Sequence, residues 1–384
     1  MRIEDVYIRG TGVRLPARLM VQDAVASGEC DPKLVARTGA VSVCVSAGES
    51  AAEMAAHAAR DALSRAGSTP GDVELILHAD TYHQGQDLWP VASYIQRETV
   101  RNQCLAVEIR QMSNGGLAAL DLACAYLRRT EHRTDALLTA ADRFCPPGID
   151  RWRTDPGTPY ADGAAAVVLS RRGGFARLLS VAVNADSELE EMHRGQEPFS
   201  PAPLSIRTPV DFDAAKRYFT SCYGLSFAIS RTTAGQRAAV KQALADAQLE
   251  LEEAQWVILP HFGRRRLESI YLQQYGIPIE RTTWEWSRTV GHLGAADQFA
   301  SLDHLVSSGA ARPGDHCVLI SVGAGYSWGA AVLRITERPA WCAEAEGEQG
   351  AAPVQRGIQE SSSSPAHHEP PMANPTVEKA KVAR

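Results

Sequence analysis

The sequence predicts an α/β protein made of two similar halves, with sheets and helices stacked in layers. Three observations carry that expectation. Apolar runs of strand length alternate with longer segments whose apolar residues recur at helical spacing. The order of these elements in the first half of the chain recurs in the second. At 384 residues, 45% of them hydrophobic, the chain can bury a large core or two fused halves of ordinary domain size. Because the strands are continuous apolar runs, mainly parallel sheets covered on both faces are expected.

Taken in order, the N-terminal half, 1–175, opens on MRIEDVYIRGTGVRLP, which enters a strand pattern at once and carries acidic residues, so no signal peptide is expected. An amphipathic helix spans the Ala-rich stretch between Ser50 and Ser68 and leads into the strand VELILHA at 73–79. Then come the strand CLAVEI, a turn at Ser113, the helix LAALDLACAYLRR, and strands at 136–141 and 164–170. The C-terminal half, 223–336, repeats the plan. The helix GQRAAVKQALADAQ leads into a strand at 256–262, followed by the turn VGHLGAAD, the helix QFASLDHLVSSG, and strands at 317–323 and 328–335. Between the halves, 176–222 is assigned to an insert; its polar, Pro-rich stretch from Ser187 to Asp213 has the character of a lid or binding loop. From 337 to 384 the chain is rich in Pro, Ser, Glu and Gln and poor in branched apolar residues, which predicts a disordered tail.

Composition narrows the function. A formal net charge of −6 gives no reason to expect nucleic-acid binding. The 8 cysteines are scattered without a C-x-x-C pair, which argues against a zinc site or a disulfide framework and suits a reducing cytoplasm. No apolar run approaches the roughly 20 residues of a membrane span.

The chemistry-bearing residues sit at the turns. In EIRQMSNGGLAAL, 108–120, Ser113 stands where a strand breaks into a helix, the place of an N-cap or of a nucleophile. In TVGHLGAAD, 289–297, His292 and Asp297 stand at the matching turn of the second half. If the halves pack about a pseudo-twofold axis, the two helix N-termini converge. Imidazole can then take the serine proton, while the carboxylate fixes its tautomer and stabilises the imidazolium. Small residues at Gly323, Ala324 and Gly325 allow backbone N–H groups to approach a ligand, so the N–H groups of Gly325 and Ser113 are candidates for an oxyanion hole. His261 and His193 are candidate neighbours of the site. Arg264, Arg265 and Arg266 form a basic run, read either as a patch for an anionic donor or as a solvated helix face.

Together these residues resemble the β-ketoacyl-acyl-carrier-protein synthase III branch of the thiolase superfamily. The markers, in order, are Arg37-Thr38-Gly39, the turn at Ser113, Asp162-Gly163-Ala164-Ala165, Pro260-His261-Phe262, Gly291-His292-Leu293-Gly294-Ala295-Ala296 and Gly323-Ala324-Gly325-Tyr326-Ser327-Trp328-Gly329-Ala330. The resemblance spans about residues 1 to 335. It implies a thiolase-like five-layered αβαβα fold, a homodimer, and an acyl thioester donor, with no bound cofactor or metal. It also places Trp89 at the partner's acyl pocket, although core packing reads the same residue equally well. The condensing members carry Cys where this chain has Ser113 and Asn where it has His292. The Ser113, His292 and Asp297 set is similar instead to a natural-product subfamily that transfers acyl groups to alcohols or amines. Simple members stack coenzyme A on a tryptophan ahead of the Arg-Thr-Gly motif; here that place, near Lys33, holds no aromatic residue. A carrier-protein-bound donor is therefore as well supported as coenzyme A.

Three functions remain open at this level. The first is an acyltransferase that uses a Ser113 acyl-enzyme and a small hydroxyl or amine acceptor. The second is a starter-unit condensing enzyme of a polyketide pathway, and the third a non-catalytic partner of a synthase complex.

Overall fold

The computed structural model describes residues 1–129 and 134–342. The expected disorder beyond 342 lies outside them. Of the segment assigned to the tail, Trp341 packs edge-on against Phe175 with ring centroids 5.5 Å apart, and Cys342 is buried. The packed body therefore runs past 336.

In the first half, β1 (Tyr7–Arg14) precedes a small ladder of β2 (Arg18–Met20) and β3 (Ser42–Cys44), which encloses α1 (Val21–Ala26) and α2 (Pro32–Thr38). There follow α3 (Ala51–Ala66), β4 (Val73–Ala79), α4 (Val91–Glu98), β5 (Leu105–Ile109), α5 (Gly115–Arg129), β6 (Asp135–Asp142) and β7 (Gly163–Ser170). The second half contains β8 (Ala176–Ala185), α6 (Glu191–Arg194), α7 (Phe212–Tyr223), α8 (Leu225–Ala247), β9 (Trp256–Ile258), α9 (Arg264–Leu267), α10 (Gln273–Tyr275) and α11 (Trp284–Ser287). It closes with α12 (Asp297–Ser307), β10 (His316–Gly323) and β11 (Ser327–Ile335).

Helix α3 shows how the sequence sets an element. Ser50 and Glu53 form a reciprocal capping box at its start, and Gly67 ends it in the left-handed conformation. The alanines between them are mostly buried, so the helix lies close on β1 and β7.

Among the described residues, the nine strands of the large sheet run in the order β5-β4-β6-β7-β1-β8-β11-β10-β9. Apart from β5, which has no counterpart among the described strands, the two halves correspond strand for strand. β1–β7 and β6–β7 are antiparallel and β4–β6 parallel, just as β8–β11 and β10–β11 are antiparallel and β9–β10 parallel. The arms join where Tyr7 and Ile8 of β1 pair with Arg177 and Ala176 of β8. Helices α5 and α12 lie between the arms and touch strands of both, while α3 covers the first arm and α8 the second. This is a five-layered αβαβα stack, the thiolase-like arrangement.

Three expectations need correction. The sheet is not mainly parallel: among the described residues only β4–β5, β4–β6 and β9–β10 pair that way. Every residue of β6 and β7 is buried although the two are antiparallel, so continuous apolarity reported burial on both faces and not direction. The strand expected over 256–262 stops at Ile258, and the chain that follows turns toward the site. The segment 176–222 begins with β8, a central strand, so its irregular part starts only after Ala185.

Candidate active site

After β5 the chain enters α5 through Gln111, Met112 and Ser113. Met112 has φ +49°, a left-handed conformation that costs a non-glycine residue on the order of 1–3 kcal/mol. In the second half Gly291, with φ +89°, directly precedes His292. Each half therefore reverses through one left-handed residue immediately ahead of its functional side chain. Close backbone approach completes the meeting. A Cβ on Gly116 would fall 2.5 Å from the Ala295 carbonyl oxygen, and one on Gly291 would fall 2.7 Å from Cβ of Ala161.

Ser113 Oγ lies 2.8 Å from His292 Nε2, and His292 Nδ1 lies 2.6 Å from Asp297 Oδ2. The Asp297 carboxylate also accepts the backbone N–H of Leu293 and that of His261, each at 2.8 Å. A carboxylate only accepts, so Nδ1 of His292 carries the proton and Nε2 offers its lone pair to the serine hydroxyl. Burial of Asp297 disfavours its charge, but His261, His292 and the N–H donors outweigh this and hold the carboxyl below its ordinary range. The His292 backbone is clamped on both sides: its N–H donates to the Pro159 carbonyl at 2.7 Å, and its carbonyl accepts from Ala161 at 2.8 Å. The rings of Tyr160 and Phe262 flank the imidazole at 5.6 and 5.4 Å. The arrangement can remove a proton from Ser113 and return it to a leaving group.

His261 stands one step behind this line. Its Nδ1–H donates to the Gly291 carbonyl at 2.9 Å, and its Nε2 accepts from Ser301 Oγ at 2.8 Å. Burial pushes its pKa below the ordinary histidine value, although the neighbouring Asp297 opposes that shift. Both ring nitrogens are thus engaged in holding the turn around His292 and Asp297. His193 does reach the site, with its ring between those of Phe212 and Tyr326 at 4.8 and 5.1 Å. Trp89 packs half-buried against Tyr94 at 5.4 Å and does not line the cavity of its own chain. Gly325 has φ +123° and sits between Ala324 and Tyr326, both of which line that cavity.

The cavity holds about 480 Å³, within the usual range for small-molecule sites, and opens on Ser113 and His292. Its walls include Tyr160, Phe212, Phe262, Tyr271, Tyr326 and Trp328. The basic run after His261 does not stay together as a patch. Arg264 pairs with Glu268 at 2.6 Å, Arg265 is exposed, and Arg266 turns inward to form two hydrogen bonds with Asp155, at 2.6 and 3.0 Å. Among the described residues no group of His, Cys, Asp and Glu is placed to hold a metal ion. Nor is any helix of these residues long and apolar enough to cross a membrane.

Sequence reasoning missed two parts of this site. Asn114 is fully buried, donates to Ser327 Oγ at 3.1 Å and accepts from Ser321, which ties the start of α5 to β10 and β11. Its place directly after Ser113 was the one available signal. Asp155 and Lys216 also line the cavity, and nothing local marks either one, because the ion pairs that hold them join residues far apart in the chain.

Comparisons with known proteins bear on the family and the fold. Residues 107–187 match the family model for 3-oxoacyl-[acyl-carrier-protein] synthase III, and residues 244–335 match that for its C-terminal part. The chain is 28% identical over 329 residues to a β-ketoacyl-[acyl-carrier-protein] synthase III of Rhizorhabdus wittichii, an alignment covering 85% of this chain and 98% of the relative. It is similar to the solved structure of ChlB3, described as an acyltransferase, with 37% identity and a TM-score of 0.84, covering 88% of this chain and 99% of that one. The priming β-ketosynthase of the R1128 polyketide pathway shares the fold, with a TM-score of 0.71 at 20% identity, covering 88% and 98% of the two chains.

Proposed function

The chain belongs to the 3-oxoacyl-[acyl-carrier-protein] synthase III family of the thiolase superfamily, and we propose that within it this protein is an acyltransferase working through a Ser113 acyl-enzyme. The observation that carries the proposal is the unbroken line from Ser113 through His292 to buried Asp297, with the serine open to a cavity. His292 takes the hydroxyl proton as Ser113 Oγ attacks the carbonyl of an acyl thioester. The C–S bond then breaks, and the thiol leaves with that proton. In the second step an acceptor hydroxyl or amine gives its proton to His292 as it attacks the ester carbonyl, the bond from that carbon to Ser113 Oγ breaks, and His292 returns the proton to Oγ. The N–H groups of Ser113 and Gly325 are the proposed donors to the oxyanion. The donor in this reading is an acyl-CoA or acyl-carrier-protein thioester, the acceptor is a small molecule, and the working unit is a homodimer.

Condensation with a malonyl unit is less well supported. It calls for a second imidazole at the enolate oxygen, whereas that of His261 is engaged with Gly291 and Ser301 behind the cavity wall. The test is intact mass after incubation with a panel of acyl thioesters, with Ser113→Ala alongside. A gain of one acyl group in the wild type alone is expected. Equal behaviour of the two proteins would remove Ser113 from the mechanism.

A further inference from the structure

The cavity next to Ser113 holds more positive than negative charge. Among the described residues Asp155 is its single carboxylate, and it meets two cations: Arg266, through two hydrogen bonds, and Lys216, whose Nζ donates to Oδ1 at 2.6 Å. These side chains are largely buried, with 10% of Asp155, 22% of Arg266 and 25% of Lys216 exposed. Arg266 is well supplied with acceptors, since it also donates to Thr158 Oγ1 and the Pro156 carbonyl. Lys216 is not. Asp155 is the one acceptor its ammonium meets among the described residues, and that leaves two N–H bonds directed elsewhere.

A second, independent feature lies beside it. His193 Nδ1 is buried with no hydrogen-bond partner among the described residues, and its ring lines the same cavity. Burial, with Lys216 and Arg266 nearby, pushes the His193 pKa down to about 3, so this imidazole is neutral and can donate to an anion without adding charge. A buried cation in excess and an unpartnered buried polar atom are both costly, and both are relieved by one anionic guest. The cluster is also close to the reacting atoms: the Arg266 guanidinium lies 5.3 Å from the ring centre of Phe262, which itself stands 5.4 Å from the His292 ring.

We infer that the acyl group carried on Ser113 bears a carboxylate, seated on Lys216 and His193 in this cavity. The inference rests on the acyl-enzyme reading above, because an acyl group attached to Ser113 has to occupy the cavity that Ser113 lines. Lys216 is then a specificity-determining residue, and neutral acyl groups of the same shape are the poorer substrates.

The test compares matched N-acetylcysteamine thioesters, 3-carboxybenzoyl against 3-carbamoylbenzoyl and glutaryl against its terminal amide, which differ only in charge. Calorimetric binding to Ser113→Ala separates the inference from the mechanism, since it needs no acyl transfer. The charged member of each pair is expected to bind at least about tenfold more tightly, as a charge-assisted hydrogen bond predicts. Lys216→Met is expected to abolish that preference and Lys216→Arg to restore it. Lys216→Met leaves Arg266 and Asp155 as a balanced pair, so the fold is expected to survive, and a melting curve checks this. Equal binding of charged and neutral members, no binding of either, or an equal loss of both in Lys216→Met would overturn the inference. If the charged members bind selectively but never acylate the wild type, the carboxylate site stands and the Ser113 acyl-enzyme fails.

Discussion

Replacing Gly116 with alanine is expected to separate Ser113 from His292. The Cβ of the new residue would lie 2.5 Å from the Ala295 carbonyl oxygen, about 0.9 Å short of an ordinary 3.4 Å contact. The Cβ is held rigidly by the backbone of α5 and its neighbour is backbone of the turn between His292 and Asp297, so no side chain can rotate away. If the two helix ends part by that distance along the line joining the reacting groups, the 2.8 Å contact between Ser113 and His292 lengthens to about 3.7 Å, beyond a hydrogen bond. A misplacement on this scale is expected to lower the rate of acyl-enzyme formation by about 10²-fold and to cost roughly 1–3 kcal/mol of stability. Gly115→Ala is the graded control: its nearest contacts are side-chain atoms at 3.0 and 3.2 Å, which need yield only a few tenths of an ångström, so its loss should be much smaller. Helix propensity alone predicts the opposite for both substitutions, a gain of up to about 1 kcal/mol. The assay is quenched-flow intact mass with the preferred thioester, alongside denaturant titration. Wild-type acylation rates in Gly116→Ala, or equal losses in the two variants, would refute the idea that close helix approach sets the serine–histidine distance.

Asp297→Asn is expected to cost acylation more than any other isosteric change. An amide at this position either presents N–H to the backbone donors of His261 and Leu293 or turns His292 to the wrong tautomer, and in a comparable hydrolase triad the loss is about 10⁴-fold. A variant retaining more than a tenth of the wild-type rate would show that His292 needs no orienting carboxylate. His193→Gln tests the buried neutral imidazole through the pH dependence of stability. Because the folded-state pKa lies near 3 and the unfolded value near 6.5, the unfolded chain binds the extra proton between those limits. Wild-type stability should therefore fall as pH drops through that window, by up to about 1.4 kcal/mol per unit from this group, and full stability should hold above it. The difference in slope between wild type and variant in acid titrations measures this contribution, and parallel curves would place His193 in contact with water.

How much was legible in the sequence depends on the range over which each feature is encoded. Helices α3, α5 and α12 were placed within a few residues, because amphipathic spacing and flanking small residues act over one or two turns. Strand direction was not legible, because a strand buried on both faces has the same composition whichever way its neighbours run, as the antiparallel pair β6 and β7 shows. The inward turn of Arg266 was hidden in a run of three like residues, and only the distant Asp155 distinguishes it from its neighbours.

The sequence by itself determined the two-half plan and the residue types at its two central turns, a serine in one and a histidine with an aspartate in the other. Those are local facts, fixed by periodicity and by which residues tolerate a sharp reversal. Only the tertiary structure decided that Ser113 meets His292 across 179 positions of chain, that the His261 ring bonds Gly291 and Ser301, and that Lys216 and Arg266 share one carboxylate. The reason is that hydrogen-bond partners are chosen by the packing of layers. The approach of α5 to the turn before α12, permitted by Gly116, sets distances that no spacing along the chain encodes.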